Sequence, residues 1–559
     1  MTSTFMGLET AKRGMFTQQS ALYTTGHNIS NANTPGYSRQ RVNFQTTTPY
    51  PAVGLNRPDI PGQMGTGVEA GSVQRIRDGF LDVQYQNENT KLGYWSARAD
   101  ALTKVEDIIN EPTDEGLAAT MTELWKSFQD LAGASENEGA RGVVLERLQA
   151  AADTFNYLSD SLHSVKQDFG NQAGITVNAA NSVIEKLFTV NQQISEIEPN
   201  GYLPNDLYDE RDRLVDELSQ YMNVSIAKEP SGGNAVAIAE GIYTVSIMDS
   251  SGAKINVIDK ESYSLLSFAN STSVDTSIPV GSNRVDNFYL IEHDRANTPG
   301  AIIEVPFADA NGSPVFPNGE IKGLIEAYGY KGMKDTDGDG TVEAATVGIY
   351  QNMIDELDKF AYTFKTLVND IHKMGFDAEG NPGQDMFLTN AAAAGEPVYT
   401  GAASSLSLTG ITTKQVAASA VGPDGTVVNI GDGNNALNLS SIGAMLLKPG
   451  STIDLLGTGT DYTIPADLPI KTGSMNSFYE GVIGRLGVDS QQASRMESNV
   501  EVLRASVVTN RESVSSVSLD EEMTNLIKYQ HAYNGAARMI TIVDEMLDKI
   551  INGMGTGGR

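Results

Sequence analysis

Apolar residues recur at a strict spacing of seven at both ends of this 559-residue chain. The two series are Leu8, Met15, Leu22 and Ile29 near the N-terminus, and Leu519, Leu526, Tyr533, Ile540 and Leu547 near the C-terminus. A seven-residue repeat places one apolar stripe on a helix, as in a coiled coil. On spacing alone, such a stripe also fits the core face of an ordinary globular helix. Because the two stripes occupy the extreme ends, we favour terminal helices that pack against each other and against neighbouring molecules.

The N-terminal stripe leads into a polar segment, Asn28-Ile-Ser-Asn-Ala-Asn-Thr-Pro-Gly-Tyr37, which is too polar to form a core. Pro35 and Gly36 fit the central positions of a type II turn, and asparagine side chains bond locally to the backbone. This segment is expected to set a sharp exit of the chain from the first helix. Near the other end, Ser518 and Glu521 fit a capping box where the heptad series changes register, so a new helix is expected to begin there.

Between the ends, apolar residues three and four apart predict long helices that pack as an antiparallel bundle. At about residue 224 the apolar spacing changes to two, which predicts strands and a hairpin. The predicted fold class is α+β and multidomain, with long coiled-coil-like terminal helices, a central helical bundle and mainly-β inserted domains. The expected parts are 1–45 plus 519–559 (terminal helical region), 46–224 plus 321–375 plus 475–518 (helical bundle), 225–320 (β-rich insertion) and 376–474 (second β-rich module).

Composition excludes several classes of function. A net charge of −31 disfavours nucleic acid and anionic membranes as partners. The absence of cysteine excludes disulfides, thiolate metal sites and cysteine nucleophiles. No apolar run approaches the roughly 18 residues that a membrane span needs, and no secretory signal is visible. By these rules alone the chain would be placed in the cytoplasm.

Signatures of enzymes and cofactor sites are scarce. The sequence has no Walker A, G-x-S-x-G or H-E-x-x-H motif, and its five histidines are scattered without ligand spacing. A single G-x-G-x-x-G match at 553–558 lacks the preceding strand that a dinucleotide site requires. We therefore predict no catalytic residue and no cofactor.

One acidic segment resembles the first half of a calcium loop. Asp335, Asp337 and Asp339 alternate, and Gly340 follows at the sixth position. The twelfth position, where a bidentate glutamate is needed, is Thr346. Because that ligand is missing, we favour an acidic surface turn over a metal site.

The segment 28–37 resembles the N-terminal signature of flagellar axial proteins, a family of rod, hook and hook-associated subunits. The residues that carry the motif are Asn28, Asn31, Asn33, Thr34, Pro35, Gly36 and Tyr37. The continuation Ser38-Arg39-Gln40 is closer to the hook-associated members than to hook or rod proteins. Further resemblance lies in Asp209-Glu-Arg-Asp212 and in Ser516-Val-Ser-Leu-Asp-Glu-Glu522.

This resemblance implies a non-enzymatic structural subunit at the hook–filament junction, required for the filament to assemble on the hook. It implies export through the flagellar type III channel without a cleaved signal, and an extracellular location in the flagellum. The implied partners are other copies of the chain in a ring or helical array, the hook protein, the next hook-associated protein towards the filament, and an export chaperone. The alternatives are a hook or rod subunit, or a junction protein whose insertions carry an enzymatic or adhesive activity.

A single helix with a narrow apolar seam cannot offset the entropy of its own ordering. We therefore expect residues 1–45 and 519–559 to be mobile in the free monomer, and to become ordered only when sister molecules complete the seams. Head-to-tail contacts between identical copies would then generate a ring or an open helical array.

Overall fold

A computed structural model describes residues 4–51, 62–111, 113, 116–249, 252–279, 282–335, 341–393, 396–424, 429–459 and 461–553. The helices within these residues are α1 (Thr4–Ser30), α2 (Gly79–Ile109), α3 (Leu117–Gly133), α4 (Glu138–Ile197), α5 (Asn205–Tyr221), α6 (Glu320–Tyr328), α7 (Ile349–Lys373), α8 (Ala402–Ser405), α9 (Asn434–Ser440), α10 (Met475–Ser515) and α11 (Leu519–Gly553). The strands are β1 (Gln40–Thr46), β2 (Val68–Arg75), β3 (Val224–Glu229), β4 (Ile242–Met248), β5 (Lys254–Ile258), β6 (Ser262–Ser267), β7 (Asn287–Asp294), β8 (Pro299–Pro306), β9 (Tyr330–Lys334), β10 (Glu343–Val347), β11 (Phe387–Leu388), β12 (Ser407–Leu408), β13 (Thr452–Asp454) and β14 (Asp461–Thr463).

The α+β multidomain fold predicted from the sequence is confirmed, with long helices at both ends and a helical bundle between them. The longest element is α4, which has 60 residues because no proline interrupts it. Its two buried glycines lie where neighbouring chain comes close: a Cβ at Gly174 would be 2.6 Å from the Thr276 carbonyl oxygen. The α2 and α10 helices run antiparallel beside each other, since Arg504 near the end of α10 reaches Asn89 near the start of α2.

Strands β3 to β8 form a six-stranded antiparallel sheet in chain order. Two buried asparagines of α4 fix the sheet to the helix. Asn191 donates to the Tyr243 carbonyl oxygen and accepts from its amide, both at 2.9 Å. Asn181 does the same with Leu266, both at 2.8 Å. Each asparagine side chain thus makes the two backbone hydrogen bonds that a neighbouring strand would otherwise make. These bonds hold the sheet on one side of the bundle.

Residues 376–474, predicted as a second β-rich module, contain less strand than expected. Strands β11 to β14 are only two or three residues long, and most of the segment is irregular. Its backbone is satisfied in part by side chains of the bundle. The Asn369 amide of α7, for example, bonds to the backbone of both Met386 and Phe387. The alternating runs in this segment are too short to build a sheet, so its apolar residues pack on helices instead.

The two terminal helices lie beside each other, outside the main apolar core, to which no described residue of α1 or α11 belongs. The chain after α1 folds back as the antiparallel hairpin β1–β2, which packs along α1. As predicted from the change of heptad register, a break separates α10, which ends at Ser515, from α11, which begins at Leu519. We name α1, the β1–β2 hairpin and α11 (residues 4–51, 62–75 and 519–553) the terminal unit, and residues 79–515 the body.

Candidate assembly interface

The two terminal helices pair antiparallel in a single heptad register. The facing pairs are Gly7 with Val543, Gly14 with Ala536, and Asn28 with Glu522. Each step of seven residues forward along α1 corresponds to a step of seven backward along α11. A Cβ built on Gly7 or Gly14 would lie 3.9 or 4.0 Å from the side chain opposite, so small residues let the helices approach closely.

The heptad residues predicted for the assembly interface lie in or beside this seam. Leu8, Met15, Leu22 and Ile29 are half-buried, as are Leu526, Tyr533, Ile540 and Leu547, whereas Leu519 is half-exposed. The fully buried side chains of the two helices belong to other, mostly small or polar residues: Thr17, Ala21, Thr25, Asn28, Glu522 and Val543. On α1 the row of residues that faces α11 is Gly7, Gly14, Ala21 and Asn28, which we call the contact row. Each of these residues lies one position before a residue of the predicted row.

The expectation that the two terminal helices pack against each other is confirmed, since α1 and α11 pair within one chain. The expectation that sister molecules also complete their apolar seams stays a prediction. A role in assembly therefore depends on the apolar surface that remains exposed after this pairing.

Much apolar surface does remain exposed on both helices. On α1 it includes Tyr23, which is 82% exposed, together with Phe5 and Phe16. On α11 the exposed apolar residues extend along both halves of the helix: Met523, Ile527, Met539, Ile542, Met546, Ile550 and Ile551. Together they give α11 a broad apolar surface outside its contact with α1. Exposed apolar surface of this kind commonly marks a contact with other protein.

Asn28 holds the end of α1 to the chain that follows it and to the start of α11. Its side-chain amide donates to the Gln40 carbonyl oxygen at 2.8 Å and to Glu522 Oε2 at 3.1 Å. Its Oδ1 accepts from the Gln40 amide at 3.0 Å and from the Tyr37 hydroxyl at 2.8 Å. Burial and nearby carboxylates raise the pKa of Tyr37, which keeps this hydroxyl protonated. Asn28 is 1% exposed, and both of its polar atoms are fully used.

The predicted type II turn at the end of α1 is confirmed. The Tyr37 amide donates to the Thr34 carbonyl oxygen at 3.2 Å, and Gly36 has a φ of +81°, the left-handed value that the third turn position requires. The turn redirects the chain from α1 towards β1, so that Ser38 and Gln40 become buried.

Other residues of the motif stabilise this turn through side-chain hydrogen bonds. Asn31 donates to the His27 carbonyl oxygen at 3.1 Å and accepts from the Thr34 hydroxyl at 3.1 Å. The His27 ring lies between the Tyr37 hydroxyl, 3.0 Å from Nδ1, and the Asn31 amide, 3.3 Å from Nε2. Asn33 is exposed. The motif therefore acts chiefly through side chains that fix the backbone.

Comparison with known proteins agrees with this geometry. A family model described as the flagellar hook-associated protein FlgK helical domain matches residues 102–387. Two further models match the ends: flagella basal body rod protein at 8–37, and flagellar basal body rod FlgEFG protein C-terminal at 510–553. Flagellar hook-associated protein 1 of Bacillus subtilis is 38% identical over 567 residues, which span 100% of both chains. The chain belongs to the flagellar hook-associated protein 1 family.

A more distant member of the hook-associated protein 1 family matches over a similar length, and a solved structure shares the fold. The protein of that name from Escherichia coli is 24% identical over 98% of this chain and 99% of its own. A solved structure, that of the flagellar hook junction protein FlgK from Burkholderia pseudomallei, covers 78% of this chain and 100% of its own, with a TM-score of 0.54 and 14% identity. The rod-protein models match only the two ends, which disfavours the alternative of a rod subunit.

Part of the acidic segment that resembles a calcium loop lies outside the described residues. Asp335 directly follows β9, while Asp337 and Asp339 fall in the stretch that is not described. Within the described ranges, no group of three or more His, Cys, Asp or Glu side chains could hold a metal ion. No described helix is both long and apolar enough to cross a membrane.

Sequence reasoning missed the contact row of this hook-associated protein. Gly7, Gly14, Ala21 and Asn28 also recur every seven residues, so the signal was present in the sequence. It was overlooked because a search for large apolar residues passes over a row of small ones. Nothing in the sequence indicated the role of Glu522, because its partners Asn28 and Arg39 lie more than 480 positions away.

Proposed function

We propose that the protein is a non-enzymatic structural subunit of the bacterial flagellum that forms the hook–filament junction and is required for the filament to assemble on the hook. The whole-length similarity to flagellar hook-associated protein 1 supports this role. The observation that carries it is the apolar surface that α1 and α11 leave exposed after pairing with each other. Copies of the chain would bury that surface against one another in a ring or helical array.

The charge distribution of the chain favours close packing through the terminal unit. This unit carries eight basic and eight acidic side chains, so its net charge is zero, whereas the whole chain carries −31. Terminal units can therefore approach each other without net repulsion, while the acidic bodies repel one another and stay solvated. Within such an array, the hook protein would contact one end and the next hook-associated protein the other.

Export precedes assembly in this proposal. The chain would leave the cell unfolded through the flagellar export apparatus, with an export chaperone covering α11 beforehand. The exposed apolar side chains of α11 give such a chaperone a surface to cover, because they would otherwise promote premature association. The mature location is then the extracellular flagellum.

The decisive test changes exposed residues of α11 that do not contribute to its pairing with α1. Ile527 and Ile542 are about half exposed, so aspartates at both positions leave the seam intact but place charge on the proposed contact surface. Leu526 and Leu547 are less suitable, since they are half-buried and their replacement would also disturb the pairing. The control is Ile175→Asp on α4, at a position that is 71% exposed on the body.

The variants are expressed in a strain that lacks its own copy of the protein, and filaments on the hooks are counted by electron microscopy. We expect the Ile527→Asp, Ile542→Asp double variant to reach the hook tip poorly and to carry few filaments, whereas Ile175→Asp grows filaments normally. Normal filaments on the double variant would reject the proposed assembly surface. The circular dichroism of both purified proteins should match that of the wild type.

A further inference from the structure

Two connections join the terminal unit to the body: residues 76–78 between β2 and α2, and residues 516–518 between α10 and α11. The exit turn after α1 lies beside them. All three segments, or the residues next to them, contact one helix of the body, α5, through carboxylates on one face. These carboxylates belong to Asp209, Asp212 and Asp216, whose spacing of three and four residues aligns them along the helix.

Asp209 and its neighbour Asp206 hold the exit turn. The Ser38 amide donates to Asp209 Oδ2 at 3.0 Å, and the Gln40 side chain donates to Asp206 Oδ1 at 2.9 Å. Asn205, at the start of α5, donates to the Val73 carbonyl oxygen of β2 at 3.0 Å. The first turn of α5 is therefore bonded to both strands of the terminal hairpin.

Asp212 holds the end of β2 and the connection that follows it. Arg75 Nη1 lies 2.7 Å from Asp209 Oδ1 and 2.9 Å from Asp212 Oδ2, so one guanidinium bridges two carboxylates of the face. Arg75 also pairs with Glu240 next to the sheet. Arg77 Nε lies 2.7 Å from Asp82 of α2 and 3.4 Å from Asp212. The first connection is thus tied to α5 on one side and to α2 on the other.

Asp216 holds the end of α10, just before the second connection. Arg511 Nη1 lies 2.7 Å from Asp216 Oδ2, and its guanidinium stacks over the Tyr85 ring of α2 at 4.7 Å. The Gln86 side chain, also from α2, donates to Asp216 Oδ1 at 3.3 Å. The start of α2 and the end of α10 therefore both contact the carboxylate of Asp216.

These ion pairs are buried, unlike the pair that Arg213 and Glu217 form on the same helix. The Arg75 side chain is 4% exposed and the Asp212 side chain 10%. On the neighbouring face, Arg213 pairs with Glu217 while both remain about 40% exposed. Buried pairs of this type fix geometry because removing one partner leaves an uncompensated charge, and a planar guanidinium constrains direction as well as distance.

We propose that the acidic face of α5 sets the angle at which the body projects from the terminal unit. Covalent connections of three residues would allow that angle to vary, whereas the bonds to α5 hold the exit turn, the first connection and the α10 end of the second connection to one rigid helix. Given the proposed assembly through the terminal units, a fixed angle would place the bodies of all copies in equivalent positions. Asp209, Asp212 and Asp216 are then positioning residues rather than parts of the assembly surface.

The test measures the angle in the purified monomer. Because the chain has no cysteine, Tyr23→Cys on the terminal unit and Ile175→Cys on the body give two unique sites for spin labels. Double electron–electron resonance should give one narrow distance distribution for this doubly labelled protein. Asp212→Asn, which leaves Arg75 and Arg77 with one charged partner fewer, should broaden the distribution at least twofold.

The matched control is Glu217→Gln, which removes the same charge from the exposed face of α5 and should keep the narrow distribution. Arg75→Lys is a second variant that keeps the charge but loses the two-point contact, and it should broaden the distribution if Asp212→Asn does not fold. Folding of the body is checked by its thermal unfolding. Distributions as narrow as the wild type in both folded variants would overturn the proposal. That result would not bear on the proposed assembly surface, because the assembly surface is tested separately by counting filaments on the Ile527→Asp, Ile542→Asp variant.

Discussion

Asn28 at the end of α1 donates a hydrogen bond to Glu522 at the start of α11, at 3.1 Å, although 494 positions separate the two residues. The second carboxylate oxygen of Glu522 accepts from Arg39 Nε at 2.7 Å. Glu522 is almost fully buried, so both of its oxygens are satisfied only while α1, the exit turn and α11 are together. The motif after α1 therefore links the two ends of the chain.

Replacing Asn28 with aspartate should separate these ends. The substitution removes both donated hydrogen bonds and places a second carboxylate beside Glu522. We expect it to destabilise the terminal unit by about 2–3 kcal/mol, the usual cost of losing a buried hydrogen bond to a charged group. Hydrogen exchange of the α1 and α11 amides should become much faster, while exchange in the body stays unchanged.

The control for this prediction is Asn33→Asp, the same substitution at an exposed position of the same motif. It should leave exchange in both terminal helices at the wild-type rate. If Asn28→Asp also exchanged like the wild type, the hydrogen bonds around Asn28 would not stabilise the pairing.

The glycines of the seam give a second prediction. Gly14→Ala places a methyl group about 4.0 Å from Ala536, which is ordinary van der Waals contact, and it also raises helix propensity. We expect the terminal unit to gain about 1 kcal/mol, as glycine in a helix interior costs about that much relative to alanine. Gly14→Leu should instead force the helices apart. Unfolding followed by the helical circular dichroism signal should move in opposite directions for the two variants.

The exit turn was predicted correctly from sequence, whereas the contact row of α1 was placed one residue too late. Pro35-Gly36 prescribes its backbone locally, so neighbouring residues suffice to identify the turn. The row of Leu8, Met15 and Leu22 was preferred because large apolar residues lose most by exposure. Their half-burial shows that large side chains flank the seam, where they can also serve contacts with other molecules.

The acidic face of α5 could not be derived from sequence for a different reason. The motif Asp209-Glu-Arg-Asp212 stands out, but the partners of its carboxylates, Ser38 and Arg75, lie 171 and 134 positions away. From the sequence alone, the charged residues of the exposed Arg213–Glu217 pair cannot be distinguished from those of the buried pairs. Only the fold separates a solvated pair from one that fixes the terminal unit on the body.

Limited proteolysis tests whether the paired terminal helices open more readily than the body, a rarer opening than the full mobility of the chain ends that the sequence suggested. The terminal helices contribute no described residue to the main core, so they should open at lower free energy than the body. Trypsin should cut first at Lys528 and Arg538 of α11 and at Arg13 of α1, and leave a resistant fragment near 79–515. Arg147 of α4, whose side chain is 47% exposed, is the internal reference. Cleavage at Arg147 as fast as at Lys528 would show that the ends are as firmly folded as the body.

Acid should weaken the body through His372, which is fully buried in α7. Its Nε2 accepts from the Ala417 amide at 2.7 Å and its Nδ1 lies 2.6 Å from the Gln384 carbonyl oxygen, so the ring is neutral. Burial lowers its pKa to about 4. The unfolded chain binds this proton below about pH 6.5 and the folded chain only near 4, so His372 lowers the free energy of unfolding by up to about 3 kcal/mol as pH falls across that window.

Urea unfolding between pH 4 and 6.5 should therefore depend less on pH in His372→Gln than in the wild type, while the exposed His163→Gln keeps the wild-type dependence. Equal slopes in all three proteins would contradict this assignment.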